Sequence, residues 1–313
     1  MSDKLIATRM AFGKELARLG DREDIVVLDA DLSKSTMTAL FGEKYPERHF
    51  NCGIAEGNMM STAAGMATCQ KKVFAASFAM FASGRAYEQI RNSICYPHLN
   101  VTVVGTHAGV TVGEDGATHQ CIEDVALMRA LPGMCVISPA DATEAAAAVR
   151  AILDYNGPVY LRLSRLAMPV IFEEEGFNFE IGKGRIISDG TDVTIIGAGL
   201  LLHEAIKARD ILESEGISVR LVDMASIKPL DKKLVIESAE KTGAIVCAEE
   251  HNIIGGLGSA VCEALCSEYP APVEIVGIKD VFGTSGKPAE LLDYYEMSAP
   301  HIVKAAKKAI SRK

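Results

Sequence analysis

No C-x-x-C pair occurs among the eight cysteines of this 313-residue chain, and most of them sit inside apolar runs such as Gly133-Met-Cys-Val-Ile137. That spacing argues against a disulfide framework or a zinc site and points to reduced, buried thiols. No basic run exceeds pairs such as Lys71–Lys72 and Lys232–Lys233, and the formal charge is −9. A general nucleic-acid surface is not expected on that balance, although a few locally placed arginines can still hold a small phosphate. No apolar run approaches the about 18 residues a membrane span needs. The start, Met1 to Ile6, has no long apolar stretch behind a basic end. Neither a membrane segment nor a signal peptide is therefore expected, and the expected location is cytoplasmic. Short-period repeats and low-complexity tracts are also missing.

What is present is a chain that is 49% hydrophobic and 23% charged, enough apolar surface for two cores at about 150 residues per domain. Strand-like runs alternate with helical patterns throughout, the signature of a parallel sheet covered by helices. Residues 7–19 read as an amphipathic helix and 24–29 as a short buried strand. Residues 56–68 are small and apolar nearly all round, as in a helix that is buried or packed on another chain. Strands are expected at 73–77 and 101–106, with a helix over 82–93 carrying Arg85 and Arg91. The pattern breaks into Glu173-Glu-Glu-Gly and Gly182-Lys-Gly before a second βα series, which marks a linker.

The most informative segment is the loop 105–120. It leaves the C-terminal end of a predicted strand, the edge where open α/β sheets bind ligands. It gathers His107, His119, the Glu114-Asp115 pair and four glycines within sixteen residues. Read as residues alone, it is a surface loop with incidental histidines, a metal site without helical H-x-x-x-H spacing, or imidazoles beside a carboxylate placed for proton transfer and for a hydroxylated substrate. Glu56, read the same way, is a carboxylate at a helix start, where the dipole favours it by about 0.3–1 kcal/mol. Thr194-Ile-Ile-Gly197-Ala-Gly199 opens like a dinucleotide fingerprint, but Leu202 stands at the third glycine position, so a tight strand-to-helix turn is expected.

Gly113-Glu-Asp-Gly-Ala-Thr-His-Gln120 closely resembles the Gly-Glu-Asp-Gly-Pro-Thr-His-Gln signature of transketolases, with Ala117 as the one change. Ala7-Thr-Arg9, Asp29-Ala-Asp31-Leu-Ser, Gly53-Ile-Ala-Glu56, Phe78-Ala-Met-Phe81, Pro139-Ala-Asp141 and Leu163-Ser-Arg165 fall into register with the same family. The resemblance covers the whole chain but only the pyrimidine-binding and C-terminal domains of that family. It implies an α/β fold with a pyrimidine-binding domain over 1–172, helices on both faces of its parallel sheet, a linker over 173–190, and a C-terminal α/β domain over 191–313.

The implied activity is transfer of a two-carbon ketol unit between sugar phosphates with thiamine diphosphate and Mg²⁺, as in the pentose phosphate pathway. Glu56 would bond a pyrimidine nitrogen of the cofactor and promote its activation. Phe78 and Phe81 would form the aromatic platform, with Asp31 near the cofactor. Arg9, Ser35, His107 and Arg165 match positions that bind the substrate phosphate. Asp115 matches the residue that reads the donor's C2 hydroxyl, and His119 one that contacts the reacting hydroxyls. Two departures bear on sugar choice, Ala117 and the Ala55 and Gly57 flanks of Glu56, while Gly84 stands where the family often has a third aromatic, so that the platform is either reduced or completed by another residue such as Tyr87. His251-Asn-Ile-Ile-Gly-Gly-Leu-Gly258 resembles a structural or interfacial loop of the family's C-terminal domains.

The Gly-Asp-Gly motif with a following Asn, which holds diphosphate and metal in thiamine enzymes, is absent: Asp115-Gly116 follows Glu114, and Asp189-Gly190 lies in the linker. The resemblance thus implies an N-terminal partner subunit that holds diphosphate and Mg²⁺, no metal ligand from this chain, a heterotetramer, and self-association through the C-terminal half. The rival readings are the beta chain of a 2-oxoacid dehydrogenase component, a relative specialised for an unusual sugar phosphate, a deoxyxylulose-phosphate synthase and a non-catalytic scaffold.

Overall fold

The computed structural model describes residues 2–313. The first half supplies strands β1 (Ser2–Ala7), β2 (Ile25–Asp29), β3 (His49–Asn51), β4 (Lys72–Phe78), β5 (Val101–Thr106), β6 (Cys135–Ile137), β7 (Val159–Arg162) and β8 (Ala167–Val170). The second half supplies β9 (Arg185–Ser188), β10 (Val193–Gly197), β11 (Val219–Asp223), β12 (Ser226–Lys228), β13 (Ile245–Asn252) and β14 (Val273–Ile278). The seven-stranded sheet runs β12-β6-β7-β5-β4-β2-β3 and the five-stranded sheet β14-β13-β10-β11-β9, while β1 and β8 form an antiparallel ribbon. Within the larger sheet all pairings are parallel except β12 with β6.

The Val- and Ile-rich strands β2, β5, β10 and β11 are buried along their whole length, as parallel strands covered on both faces must be. Helices Thr8–Arg18 and Ala142–Asp154 share an apolar layer with one face of the large sheet, and helix Glu56–Thr68 lies in the core on the other. Helix Ala142–Asp154 starts where Asp141 accepts a hydrogen bond from the Glu144 backbone N–H at 2.8 Å and Glu144 accepts one from the Ala140 N–H at 2.7 Å. These are reciprocal caps, of which the first is worth about 1 kcal/mol. Helix Glu56–Thr68 buries Glu56, Met59, Met60, Ala63, Ala64 and Ala67 and leaves Asn58, Ser61, Gly65 and Thr68 uncovered.

Three features differ from the sequence expectations. The 82–93 helix is replaced by two π-helical turns, Met80–Arg85 and Ile90–Cys95, around a short α-turn; such wide turns recur at functional sites. Within the expected linker, Arg185–Ser188 pairs as β9 along β11. The second half also lends β12 to the edge of the first sheet. Among the described residues no helix is long and apolar enough to cross a membrane.

Candidate active site

The ends of β2, β4, β5 and β7 lie side by side in the large sheet, and the candidate residues gather beyond that carboxyl edge. Phe78 closes β4. Phe81 follows on the first π-turn, its ring centroid 6.1 Å from that of Phe78 with the planes 17° apart. His107, the first residue past β5, stacks on Phe78 at 3.9 Å. His119 meets Phe81 edge-on at 5.3 Å. The two histidines are thus brought to the aromatic pair by opposite ends of one loop.

Glu56 is the first residue of its helix and 1% exposed. Both its carboxylate oxygens accept hydrogen bonds from Arg85 Nη1, at 3.0 and 2.9 Å. Arg85 also lays its guanidinium over Phe81, 4.7 Å from the ring centroid, while its side chain stays 53% exposed. Sequence reasoning gave Arg85 no role. A Cβ on Gly84 would stand 2.4 Å from Met80 Cε, so the position expected for a third aromatic is packed against Met80. Tyr87 packs against the core with its hydroxyl donating to the Leu127 carbonyl at 3.3 Å.

His107 has a φ of 56°, a left-handed conformation uncommon for a residue with a side chain. Burial, then the charges of Arg9, Arg165 and His119, push its pKa down to about 3, so the ring is neutral near pH 7. Its Nε2 lies 3.4 Å from Arg9 Nη1, and its Nδ1 lies 2.9 Å from Thr106 Oγ1. Arginine can only donate, so Nε2 is the acceptor and Nδ1 carries the proton.

Arg9 sits in the first turn of helix Thr8–Arg18 and donates to the main-chain carbonyl of Ser35 at 2.5 Å. Ser35 therefore meets the site through its backbone. The Arg9 Nε–H is buried without a partner. Arg165 donates to the Val112 carbonyl at 2.6 Å and lies 3.5 Å from Asp115. Burial and the charge of Arg165 both lower the Arg9 pKa. Two guanidiniums that repel each other, one with an orphaned N–H, are suited to an anion.

Asp31, with φ 64°, accepts from Asn51 Nδ2 at 3.1 Å and donates its N–H to Asn51 Oδ1 at 3.0 Å. The same Oδ1 accepts from the Gly53 N–H at 2.9 Å. Asp31 is thereby tied to the segment that leads into Glu56, without touching the aromatic pair. Its neighbour Asp29 is buried and accepts from the Leu32 N–H and from the Thr36 and Thr38 hydroxyls.

A carboxyl beside an aromatic ring, both engaged here by Arg85, has the chemistry that the aminopyrimidine half of thiamine diphosphate requires. For the other half, the described residues contain no group of three or more His, Cys, Asp or Glu side chains arranged to hold a metal.

Residues 4–170 match the family model for the transketolase pyrimidine binding domain, and residues 182–302 that for the transketolase C-terminal domain. A solved chain described as a split gene transketolase, inactive beta4 tetramer, is 53% identical and superposes with a TM-score of 0.92 over 98% of this chain and 99% of that one. A chain of Methanocaldococcus jannaschii provisionally named transketolase C-terminal section is 52% identical, covering 95% of this chain and 94% of that one. One of the subunits of the apulose-4-phosphate transketolase of Phocaeicola vulgatus is 38% identical over 98% of both chains. Sequence pattern, fold and similarity converge: the chain belongs to the transketolase family and corresponds to the C-terminal subunit of its split members.

Proposed function

We propose that this chain is the C-terminal subunit of a two-chain transketolase that moves a two-carbon ketol unit from a ketose phosphate to an aldose phosphate. The observation that carries this reading is the convergence of Glu56, the Phe78–Phe81 pair, His107, His119 and the Arg9–Arg165 pair at one sheet edge. When bound, thiamine diphosphate would supply the nucleophilic carbon for the transfer. Glu56 would hold the pyrimidine ring by a hydrogen bond and Phe81 would offer it a face. Arg85, which engages both groups, has to yield them for the ring to enter.

His107, neutral and Nδ1-protonated, presents no positive charge of its own to the sugar. His119 and Asp115 meet the sugar hydroxyls, His119 as proton carrier and Asp115 as acceptor. Arg9 and Arg165 bind the phosphate, with the orphaned Arg9 N–H as a ready donor. Asp31 stands at the cofactor edge. Diphosphate and Mg²⁺ fall to an N-terminal subunit across the interface, in a heterotetramer. The 53% identical chain described as an inactive tetramer of beta chains supports both self-association and the need for that partner. A cytoplasmic place in pentose phosphate metabolism fits this chemistry.

A second reading concerns the sugar. The 40% identical SqwH subunit of a Clostridium species is named for 6-deoxy-6-sulfo-D-fructose, and the Phocaeicola relative for apulose 4-phosphate. A pair of arginines would accept a sulfonate as well as a phosphate, so a specialised donor is the variant reading. The deciding experiment is ketol transfer from xylulose 5-phosphate to ribose 5-phosphate, with thiamine diphosphate and Mg²⁺, by this chain alone and with the co-expressed N-terminal subunit. Activity is expected only in the mixture. Turnover by this chain alone would overturn the two-chain assembly. A verified complex that uses sulfofructose or apulose phosphate but not xylulose 5-phosphate would establish the variant reading.

A further inference from the structure

The second α/β unit contributes no residue to the aromatic pair or the arginine pair, yet it reaches the loop between His107 and Gln120 at two points. The first is Glu250, on β13, which is flanked by β14 and β10 in its own sheet. Its Oε1 accepts from the Thr111 backbone N–H at 2.6 Å and its Oε2 from the Thr111 hydroxyl at 3.2 Å. The approach is so close that a Cβ on Gly109, whose φ is +81°, would stand 2.2 Å from the Glu250 carboxyl carbon. The second point is the Thr284 carbonyl, which accepts from Gln120 Nε2 at 2.9 Å. Asp115 lies between these anchors and His119 just before the second. Arg165 is bonded to the Val112 carbonyl, one residue past the first.

We propose that Glu250 is a positioning residue for ketol transfer, which fixes the start of this loop through Thr111 and so sets Asp115, His119 and Arg165 against the sugar phosphate. This rests on the reading of the site as a ketol transferase. A buried carboxyl is an expensive way to fill space, and an apolar side chain would pack there at lower cost. The charged and titratable groups facing Glu250 are Arg162, whose Nη2 donates to the Glu250 carbonyl at 2.9 Å, and Asp124. Burial raises the Glu250 pKa to about 7, against the lowering effects of Arg162 and the Thr111 bonds. What the carboxyl secures is the backbone N–H and the hydroxyl of Thr111 at the head of the substrate loop. Anchoring that loop to a strand gives it the rigidity that a productive site needs.

The test compares Glu250→Leu, which keeps volume and loses both acceptors, with Glu250→Gln, which keeps one. In the full chain, amide exchange at 110–115 is expected to speed up in Glu250→Leu and not in Glu250→Gln. In the complex with the N-terminal subunit, kcat/KM for the ketose phosphate should fall by about 100-fold in Glu250→Leu, the scale of a misplacement near 1 Å. Thiamine diphosphate affinity should stay within about twofold, because Glu56 and Phe81 lie outside the anchored segment, and Glu250→Gln should recover most of the rate. If Glu250→Leu does not fold, Glu250→Asp, which withdraws the carboxyl while keeping its charge, takes its place. An inactive wild-type complex overturns the functional reading, and the positioning role falls with it. An active wild-type complex whose variant keeps its kcat/KM, or loses cofactor affinity in parallel, overturns the positioning role alone.

Discussion

The two sheets present their carboxyl edges to different ends. At the edge of the seven-stranded sheet, His107 and Asp31 hold left-handed backbone conformations and Arg9 keeps a buried N–H without a partner. At the edge of the five-stranded sheet, Asp280 is also left-handed and Asp223 Oδ1 and Glu249 Oε2 are also buried without a partner, but several polar groups end on the first unit. The Gly199 N–H donates to the Ser138 carbonyl at 3.1 Å, and His203 Nε2 lies 2.9 Å from the Ala140 carbonyl. His251 Nε2 accepts from the Ala126 N–H at 3.3 Å. Asp223 faces Glu144 across the junction. Both edges descend from the same βα pattern, in which such edges are the usual ligand sites. One is left open, and the other is stoppered by its neighbour. Position in a fold therefore offers a site, and what covers the edge, more than strain or an orphaned group, decides whether it is free for a ligand.

The largest expected effect breaks the open edge. Glu56→Ala should lower ketol transfer in the complex by about 10³-fold or more, within the scale of a lost acid–base partner, while the circular dichroism spectrum and unfolding midpoint stay near wild type. Full turnover from a cleanly substituted protein would remove Glu56 from the mechanism. Next, Arg9→Ala should raise KM for the sugar phosphate by about 10- to 100-fold, the worth of a charge-assisted bond at about 1.5–3 kcal/mol, with cofactor affinity unchanged in a titration. An unaltered KM would locate the anion elsewhere.

The stoppered edge is probed by pH. Burial pushes the Asp223 carboxyl up to about 6 and, with the Asp223 charge beside it, pushes Glu144 well above its ordinary range. Folded values above the unfolded ones mean that the native state holds extra protons from about pH 4 upward. Stability from this pair is therefore present in acid and lost as pH rises through about 6 and then through the Glu144 value. A urea midpoint that falls between pH 5 and pH 8, and falls less in Asp223→Asn, is the expected record. The smallest effect concerns Arg85. A half-exposed ion pair contributes about 0.2–1 kcal/mol, so Arg85→Ala should tighten thiamine diphosphate binding only a fewfold by calorimetry. Weaker binding would mean that Arg85 supports the cofactor.

Much of the open edge is legible in the sequence, because its chemistry is concentrated in one glycine-rich loop and a few short strings. The helix at Glu56–Thr68 and the strand at Val101–Thr106 also follow from composition and β-branching. The pairing of Glu56 with Arg85 does not, since it depends on a π-turn whose extra residue per turn leaves no periodic trace. Strands β1, β8, β9 and β12 were equally hidden: each has three to six residues, and its reason for being extended is a partner distant in sequence. Glu250 carried no signal of its own, because Glu249-Glu250-His251 reads as the end of a strand and its target lies 139 residues earlier.

The loan of β12 to the first sheet has a consequence for how the molecule is made. On the ribosome, everything up to Arg162 can emerge and pair while the outer side of β6 still waits for Ser226–Lys228. Until those residues arrive, the nascent chain carries an uncapped row of backbone donors and acceptors, the template on which strands from other chains add. A fragment ended after the first unit keeps that sticky edge permanently, so the chain is best expressed and handled whole.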